Sequence, residues 1–275
     1  MRKWCGWLVI SKVGYKVSIT LMYWLIVGGE SQIGQALSKA WSSDGHRFHN
    51  STRRWGRVSE SRPYICLGEQ ISLAEFPLYE AAVICVGESN VTYCERHPLE
   101  TWRLNVDQVC DLARILSHQG CYVLLLSSAR VFDGRSPKKQ AEDKPGPRTE
   151  YGRQKTDAES GILNLGNSGI LRLSKVIHND TRLIRSWRAA LELGQEIHPF
   201  DNVFVSLISL DRVVDEITVR LKERASGIFH VQSEEDISYA DLARKYCLEW
   251  GLNSSLIAPT SATDHILYPR YSSLI

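Results

Sequence analysis

Apolar and polar positions along this chain fall into two kinds of block. Short continuous apolar runs bounded by turn residues are the pattern of strands buried on both faces of a parallel sheet. Three such runs are the one starting at Tyr23, AAVICVG (81–87) and CYVLLLSS (121–128). Between them apolar residues recur at helical spacing, first in QALSKAW after Gly34. They recur again in LETWRLNVDQVCDLARILSHQG, where Leu104, Cys110, Leu112, Ala113, Ile115 and Leu116 share a face and His118 to Gly120 supply the stop. SSDGHRFHNSTRR reads as a turn and a short second strand, a further helix begins near Tyr151, and GILRLSKV (169–176) is the next strand. This alternation predicts an α/β fold with a doubly wound parallel sheet.

From about Ile177 the rhythm changes. RLIRSWRAALELGQEI, LDRVVDEITVRLKERA and ISYADLARKYCLEWGL read as amphipathic helices and GIFHVQ as a short strand, too few and too scattered for a second half of the same sheet. The expected division is therefore a nucleotide-binding domain over 22–176 and a small C-terminal α/β lobe, mainly substrate-binding, over 177–275. The polar stretch 133–150 is long enough to serve as a substrate-side flap. Residues 1–21 begin with basic residues and an apolar patch, but Lys12 and Lys16 interrupt the patch and no small-residue cleavage site follows. They are read as an extension, with Met22 as the functional start; the alternative is an N-terminal strand and hairpin packed on the domain.

Composition narrows the partners. With 33 basic and 31 acidic residues the formal net charge is +2, so no large field invites nucleic acid or an anionic membrane, and small molecules are the expected ligands. The seven cysteines are odd in number and lack any C-x-x-C, which reads as buried thiols in a reducing, cytoplasmic setting. The eight histidines are dispersed without a short ligand spacing, so no metal site is expected. The turn from His198 to Asp201 is an open candidate for the substrate pocket.

The glycine-rich turn Gly28-x-x-Ser31-x-x-Gly34 follows the first apolar run and opens a helix. In a dinucleotide fold such glycines allow a tight turn and bring backbone N–H groups close to a pyrophosphate. Ser31 replaces the middle glycine, which retains a hydrogen-bonding hydroxyl but adds a Cβ where positive φ would be costly. Thr52, Arg53 and Arg54 lie about 20 residues past the turn, and no acid occurs from His46 to Val58. Guanidinium groups there suit a 2′-phosphate, favouring NADP(H) over NAD(H); the alternative is a solvated basic loop.

Carbonyl reduction requires a proton donor beside the developing alkoxide. Tyr151 and Lys155 are i and i+4 on a helix, so an ammonium stands near a phenol and favours its ionised form. Ser128, at the end of a strand, is placed to hold the carbonyl oxygen. The candidate dinucleotide-binding set comprises Gly28, Gly29, Ser31, Gln32, Ile33, Gly34, Thr52, Arg53, Arg54, Cys85, Val86, Gly87, Tyr151 and Lys155.

GGESQIG, Asn105-Val106, SSARVFDG, EYGRQK and PRYSSL (269–274) together resemble the extended short-chain dehydrogenase/reductases, in particular the branch similar to dTDP-4-dehydrorhamnose reductase. The resemblance covers 23–275. It implies a Rossmann domain with a small substrate lobe, NADPH as hydride donor and a 4-keto nucleotide-sugar as acceptor. By position it implies Tyr151 as proton donor, Lys155 on the nicotinamide ribose, Ser128 as the supporting hydroxyl and Asn105 as the helix-bending asparagine that supports the site. A homodimer through the helices of Asn105 and Tyr151 is implied on the same basis. Ala129-Arg130 stand where that reductase carries an acidic-aromatic pair, which argues against a dehydratase. Two alternatives stay open: a non-catalytic nucleotide-binding regulatory subunit, and an epimerase of the same fold.

Overall fold

The computed structural model describes residues 23–177, 181–232 and 235–275. The expectations for residues 1–21, Met22 and His178 lie outside them.

Nine strands form among the described residues: β1 (Tyr23–Val27), β2 (Phe48–Asn50), β3 (Tyr79–Ile84), β4 (Tyr122–Ser128), β5 (Ser168–Leu173), β6 (Lys175–Val176), β7 (Phe204–Ile208), β8 (Gly227–His230) and β9 (Asp236–Ser238). Six of them make one wholly parallel sheet in the order β2-β1-β3-β4-β5-β8. The helices are α1 (Gln32–Ser43), α2 (Val91–Arg96), α3 (Pro98–Trp102), α4 (Val109–His118), α5 (Glu150–Leu163), α6 (Arg182–Glu192), α7 (Leu210–Glu223) and α8 (Tyr239–Glu249).

Alternate residues of each central strand serve opposite faces, which is why the runs are apolar throughout. Trp24 and Ile26 join Leu37 and Trp41 of α1 and Val213, Ile217 and Leu221 of α7 in one core. Leu25 and Val27 join Leu112 and Leu116 of α4 and Ile162 of α5 in the other. Trp41 is fully buried, and its indole N–H donates to Thr218 Oγ1 at 2.8 Å, so even the largest side chain of this core leaves no polar atom stranded.

The long helix expected over 99–120 is not continuous. α3 passes into a π-helical stretch over 103–108 and only then into α4, and Asn105 lies in that stretch. π-turns inside helices recur at functional sites.

The C-terminal segment is not confined to a lobe. α7 packs on α1 and the main sheet, and β8 adds the sixth strand beside β5. The scattered short elements after Ile177 thus do extend the first sheet, because a single helix and a four-residue strand suffice once β5 offers an edge. The rest, β6, β7 and β9 with α6 and α8, forms a three-stranded sheet and its own apolar core around Ile184, Trp187, Val205 and Leu242. The chain enters this lobe at Ser174, which breaks the run 169–176 into β5 and β6.

Candidate active site

β1 ends in a turn whose glycines are sterically required. Gly28 has φ +93°, and a Cβ there would meet Val86 Cγ1 at 2.7 Å; a Cβ on Gly34 would lie 2.3 Å from the Gly28 carbonyl oxygen. Ser31 does not carry the strain anticipated for it. Its φ is −70°, and as the N-cap of α1 its Oγ accepts from Gly34 N at 3.0 Å. Ser51 ties the turn to the end of β2, its Oγ accepting from Gly28 N at 2.9 Å.

This turn forms one wall of a cavity of about 370 Å³. Of the expected dinucleotide residues, Gly28, Ser31, Thr52, Arg53, Arg54, Cys85, Val86 and Gly87 line it. Gly29, Gln32, Ile33, Gly34, Tyr151 and Lys155 do not: Ile33 packs on the core, Gly34 lies against the Gly28 backbone, Tyr151 lines a second cavity, and Lys155 lines neither. The cavity also has walls that sequence reasoning missed, namely Glu30, Ser51, Ile65, Cys66, Leu67, Glu88 and Leu104. Ile65 to Leu67 reach it through the parallel bridge of Tyr64 to Thr52, for which the local pattern carries no signal.

Asn105 supports the far edge of the cavity. Its Oδ1 accepts from Glu88 N at 2.7 Å, and its Nδ2 donates to Glu88 O at 2.9 Å and to Gln154 Oε1 at 2.8 Å. Gly87 has φ +139°, and a Cβ there would meet Asn105 Oδ1 at 2.8 Å.

A second cavity, of about 270 Å³, lies between the end of β4 and the lobe. Ser128, Ala129, Arg130 and Tyr151 line it from the sheet side; Val203, Tyr239, Tyr268, Tyr271 and Ser272 line it from the lobe and the PRYSSL segment. Thr149 caps α5, its Oγ1 accepting from Gly152 N at 3.1 Å, and so sets the helix start that presents Tyr151. Gly152 is required there, since a Cβ would lie 2.3 Å from the Arg130 carbonyl oxygen.

The Tyr151 phenol is pushed up to about 12, chiefly by burial, a rise that the Ser128 hydroxyl and the Arg130 charge oppose. Lys155 is buried, and desolvation lowers its ammonium to about 8, opposed first by Glu159. Its Nζ donates to the Leu126 carbonyl oxygen at 2.7 Å. Arg130 thus acts on the phenol as a nearby cation, while the i+4 lysine has its ammonium on the Leu126 carbonyl. Arg130 Nη1 donates to the Leu267 carbonyl oxygen at 2.9 Å, and no carboxylate pairs with it among the described residues.

A groove that shares Ser89 and Lys175 with this cavity is lined by Arg182 and Arg185 at the start of α6. The His198 to Asp201 turn lines neither cavity; His198 Nδ1 faces the Ala258 carbonyl oxygen at 3.1 Å. No group of three or more His, Cys, Asp or Glu able to hold a metal occurs among the described residues, and no helix there is long and apolar enough to cross a membrane.

A parallel doubly wound sheet with a glycine turn at its first strand, and a Ser-Tyr-Lys set at its fourth strand and the following helix, defines an extended short-chain dehydrogenase/reductase fold. The chain belongs to the family of the RmlD substrate binding domain, whose model matches residues 22–274. A probable low-salt glycan biosynthesis reductase, Agl14, of Haloferax volcanii is 25% identical over 260 residues, 88% of this chain and 85% of that protein. The methionine adenosyltransferase 2 subunit beta of Xenopus laevis is 27% identical over 275 residues, 92% of this chain and 79% of that one. The crystal structure of a hypothetical dTDP-4-dehydrorhamnose reductase from Sulfolobus tokodaii superposes with a TM-score of 0.79 at 25% identity, covering 92% of each chain.

Proposed function

We propose that this protein is an NADP(H)-dependent reductase of a keto group on a nucleotide-activated sugar. The observation that carries the reading is Tyr151, which lines the second cavity together with Ser128 while the first cavity, with the glycine turn on its wall, lies alongside, the two meeting at the Gly87–Ser89 loop. The walls fit the cofactor: Gly28 and Gly34 let the turn close tightly against Val86 and its own backbone, and Ser51, Thr52, Arg53 and Arg54 face the same space. The dinucleotide, when bound, supplies the hydride.

The remaining steps belong to the chain. Ser128 Oγ holds the carbonyl oxygen, and Tyr151 Oη gives it a proton as charge develops there. Arg130 stabilises the phenolate left behind. Lys175, Arg182 and Arg185 along the adjoining groove suit the diphosphate of a nucleotide-sugar. Arg53 is the cation offered to the 2′-phosphate. Tyr151→Phe is expected to abolish NADPH-dependent reduction across a panel of 4-keto nucleotide-sugars while nicotinamide fluorescence still reports cofactor binding. Unchanged turnover would refute this chemistry.

A second reading, a non-catalytic nucleotide-binding subunit, draws on the likeness to the methionine adenosyltransferase subunit and on Glu30 and Glu88, two carboxylates on the wall of the dinucleotide cavity. Absence of turnover over the whole panel, with cofactor bound, favours it.

A further inference from the structure

The end of β2 carries no acid, yet the fold brings one there from another loop. Glu30, inside the glycine turn, points its carboxylate at the segment that follows β2. Its Oε1 accepts from Thr52 Oγ1 at 3.2 Å and from Arg57 Nη1 at 3.3 Å. Arg54 Nε stands 3.5 Å from Oε2 and Arg62 Nη2 stands 3.8 Å from Oε1. One carboxylate thus serves three guanidinium groups at the end of the cavity that Thr52, Arg53 and Arg54 also line.

In a doubly wound nucleotide fold this end meets the adenosine ribose, where arginines take a 2′-phosphate and an acid takes the 2′-hydroxyl. Here both devices are present and already bound to each other. A 2′-phosphate arriving at Arg54 finds its charge compensated and a like charge beside it. A 2′-hydroxyl finds a carboxylate able to accept its proton in a hydrogen bond.

We infer that Glu30 sets the cofactor selectivity of this chain, as an internal counter-ion that competes with the 2′-phosphate of NADP(H) for the arginine cluster and narrows the preference over NAD(H). The inference rests on the dinucleotide reading given above. The contest is graded rather than absolute. The Arg54 and Arg57 side chains are more than half exposed, and ion pairs of that exposure are individually weak, so a phosphate displaces the carboxylate at a penalty. Arg53 makes no ion pair among the described residues and keeps the site open to the phosphate.

The test is a titration of the full chain with NADPH and NADH, read by nicotinamide fluorescence, for wild type, Glu30→Gln and Glu30→Asp. Glu30→Gln is expected to raise the NADPH-over-NADH affinity ratio about tenfold, with most of the change in NADPH, and the gain should shrink as salt screens the arginines. Glu30→Asp withdraws the carboxylate by one methylene and should fall between the other two. Calorimetry with adenosine 2′,5′-bisphosphate and with AMP repeats the comparison without the nicotinamide. Unchanged far-UV circular dichroism and melting temperature report that each variant is folded, and a ratio that rises through loss of NADH alone overturns the counter-ion role. A ratio that stays within about twofold of wild type in both variants, or an equal gain for both dinucleotides, overturns the role of Glu30 and leaves the reductase reading intact. Failure of folded wild-type protein to bind either dinucleotide overturns both.

Discussion

Asn105 donates from Nδ2 to Gln154 Oε1 at 2.8 Å, joining the π-helical stretch before α4 to the helix that carries Tyr151. Both side chains are buried, and the same carboxamide clamps Glu88 by its N–H and its carbonyl. Gln154 extends the chain of bonds to Thr101 Oγ1 at 2.9 Å. One side chain thus holds a loop of the first cavity and the helix that carries Tyr151 in register. Asn105→Ala leaves a buried N–H and a buried amide oxygen without partners and is expected to cost about 2–3 kcal/mol, measured by urea denaturation. A loss under about 0.5 kcal/mol would show that the network is not holding these elements.

Lys155 offers a test of what burying a charge costs this fold. Its ammonium falls from an ordinary value of 10.5 to about 8, a shift that corresponds to about 3 kcal/mol of unfavourable burial. Lys155→Met removes that penalty and loses a hydrogen bond worth about 1 kcal/mol, for a net gain of about 2 kcal/mol at pH 7. Below pH 8 the lysine is charged in both folded and unfolded chains and the penalty is complete. Between pH 8 and 10.5 only the unfolded chain keeps the proton, so wild-type stability rises through that window and the gap to the variant closes. Melting temperatures at pH 7 and pH 10 check the sign, and a variant less stable than wild type at pH 7 contradicts it.

Arg172 and Glu159 form an ion pair of 2.7 Å with side chains only 0% and 3% exposed, bracing β5 against α5. Glu159→Gln leaves a guanidinium buried without its counter-charge and removes the group that most raises Lys155. The expected loss is about 3 kcal/mol or more by chemical denaturation, and replacing both partners by apolar residues should recover much of it. Equal losses in the single and double variants would show that the charge is not the cause.

Local features were legible in the sequence. β1, β3 and β4 announced themselves as apolar runs because both faces are covered, and the placement of Ser128 at a strand end and of Tyr151 and Lys155 on one helix was readable because these are short-range patterns. The parts that escaped depend on which distant segments meet. Glu30 reads as a turn residue until the fold sets it against Arg54, Arg57 and Arg62. Arg130 reads as a departure from a motif until its buried charge is found beside the phenol. β8 reads as a stray strand because the partner of a four-residue segment is chosen by the free edge of β5. The π-stretch at Asn105 keeps the apolar periodicity of an ordinary helix closely enough to be invisible in it.

The two cavities differ in when their walls are made. Every residue lining the first lies between Val27 and Leu104, whereas the second draws on residues from Ser89 to Ser272. The PRYSSL segment also stitches the body together late, with Tyr271 N bonded to the Gly134 carbonyl oxygen, Phe204 N to that of Arg270 and Lys139 N to that of Ser273. During synthesis on the ribosome the walls of the first cavity are therefore written early, and the second waits for residues 268–272. A premature stop before Leu267 would leave a chain holding every residue of the first cavity with the second unfinished.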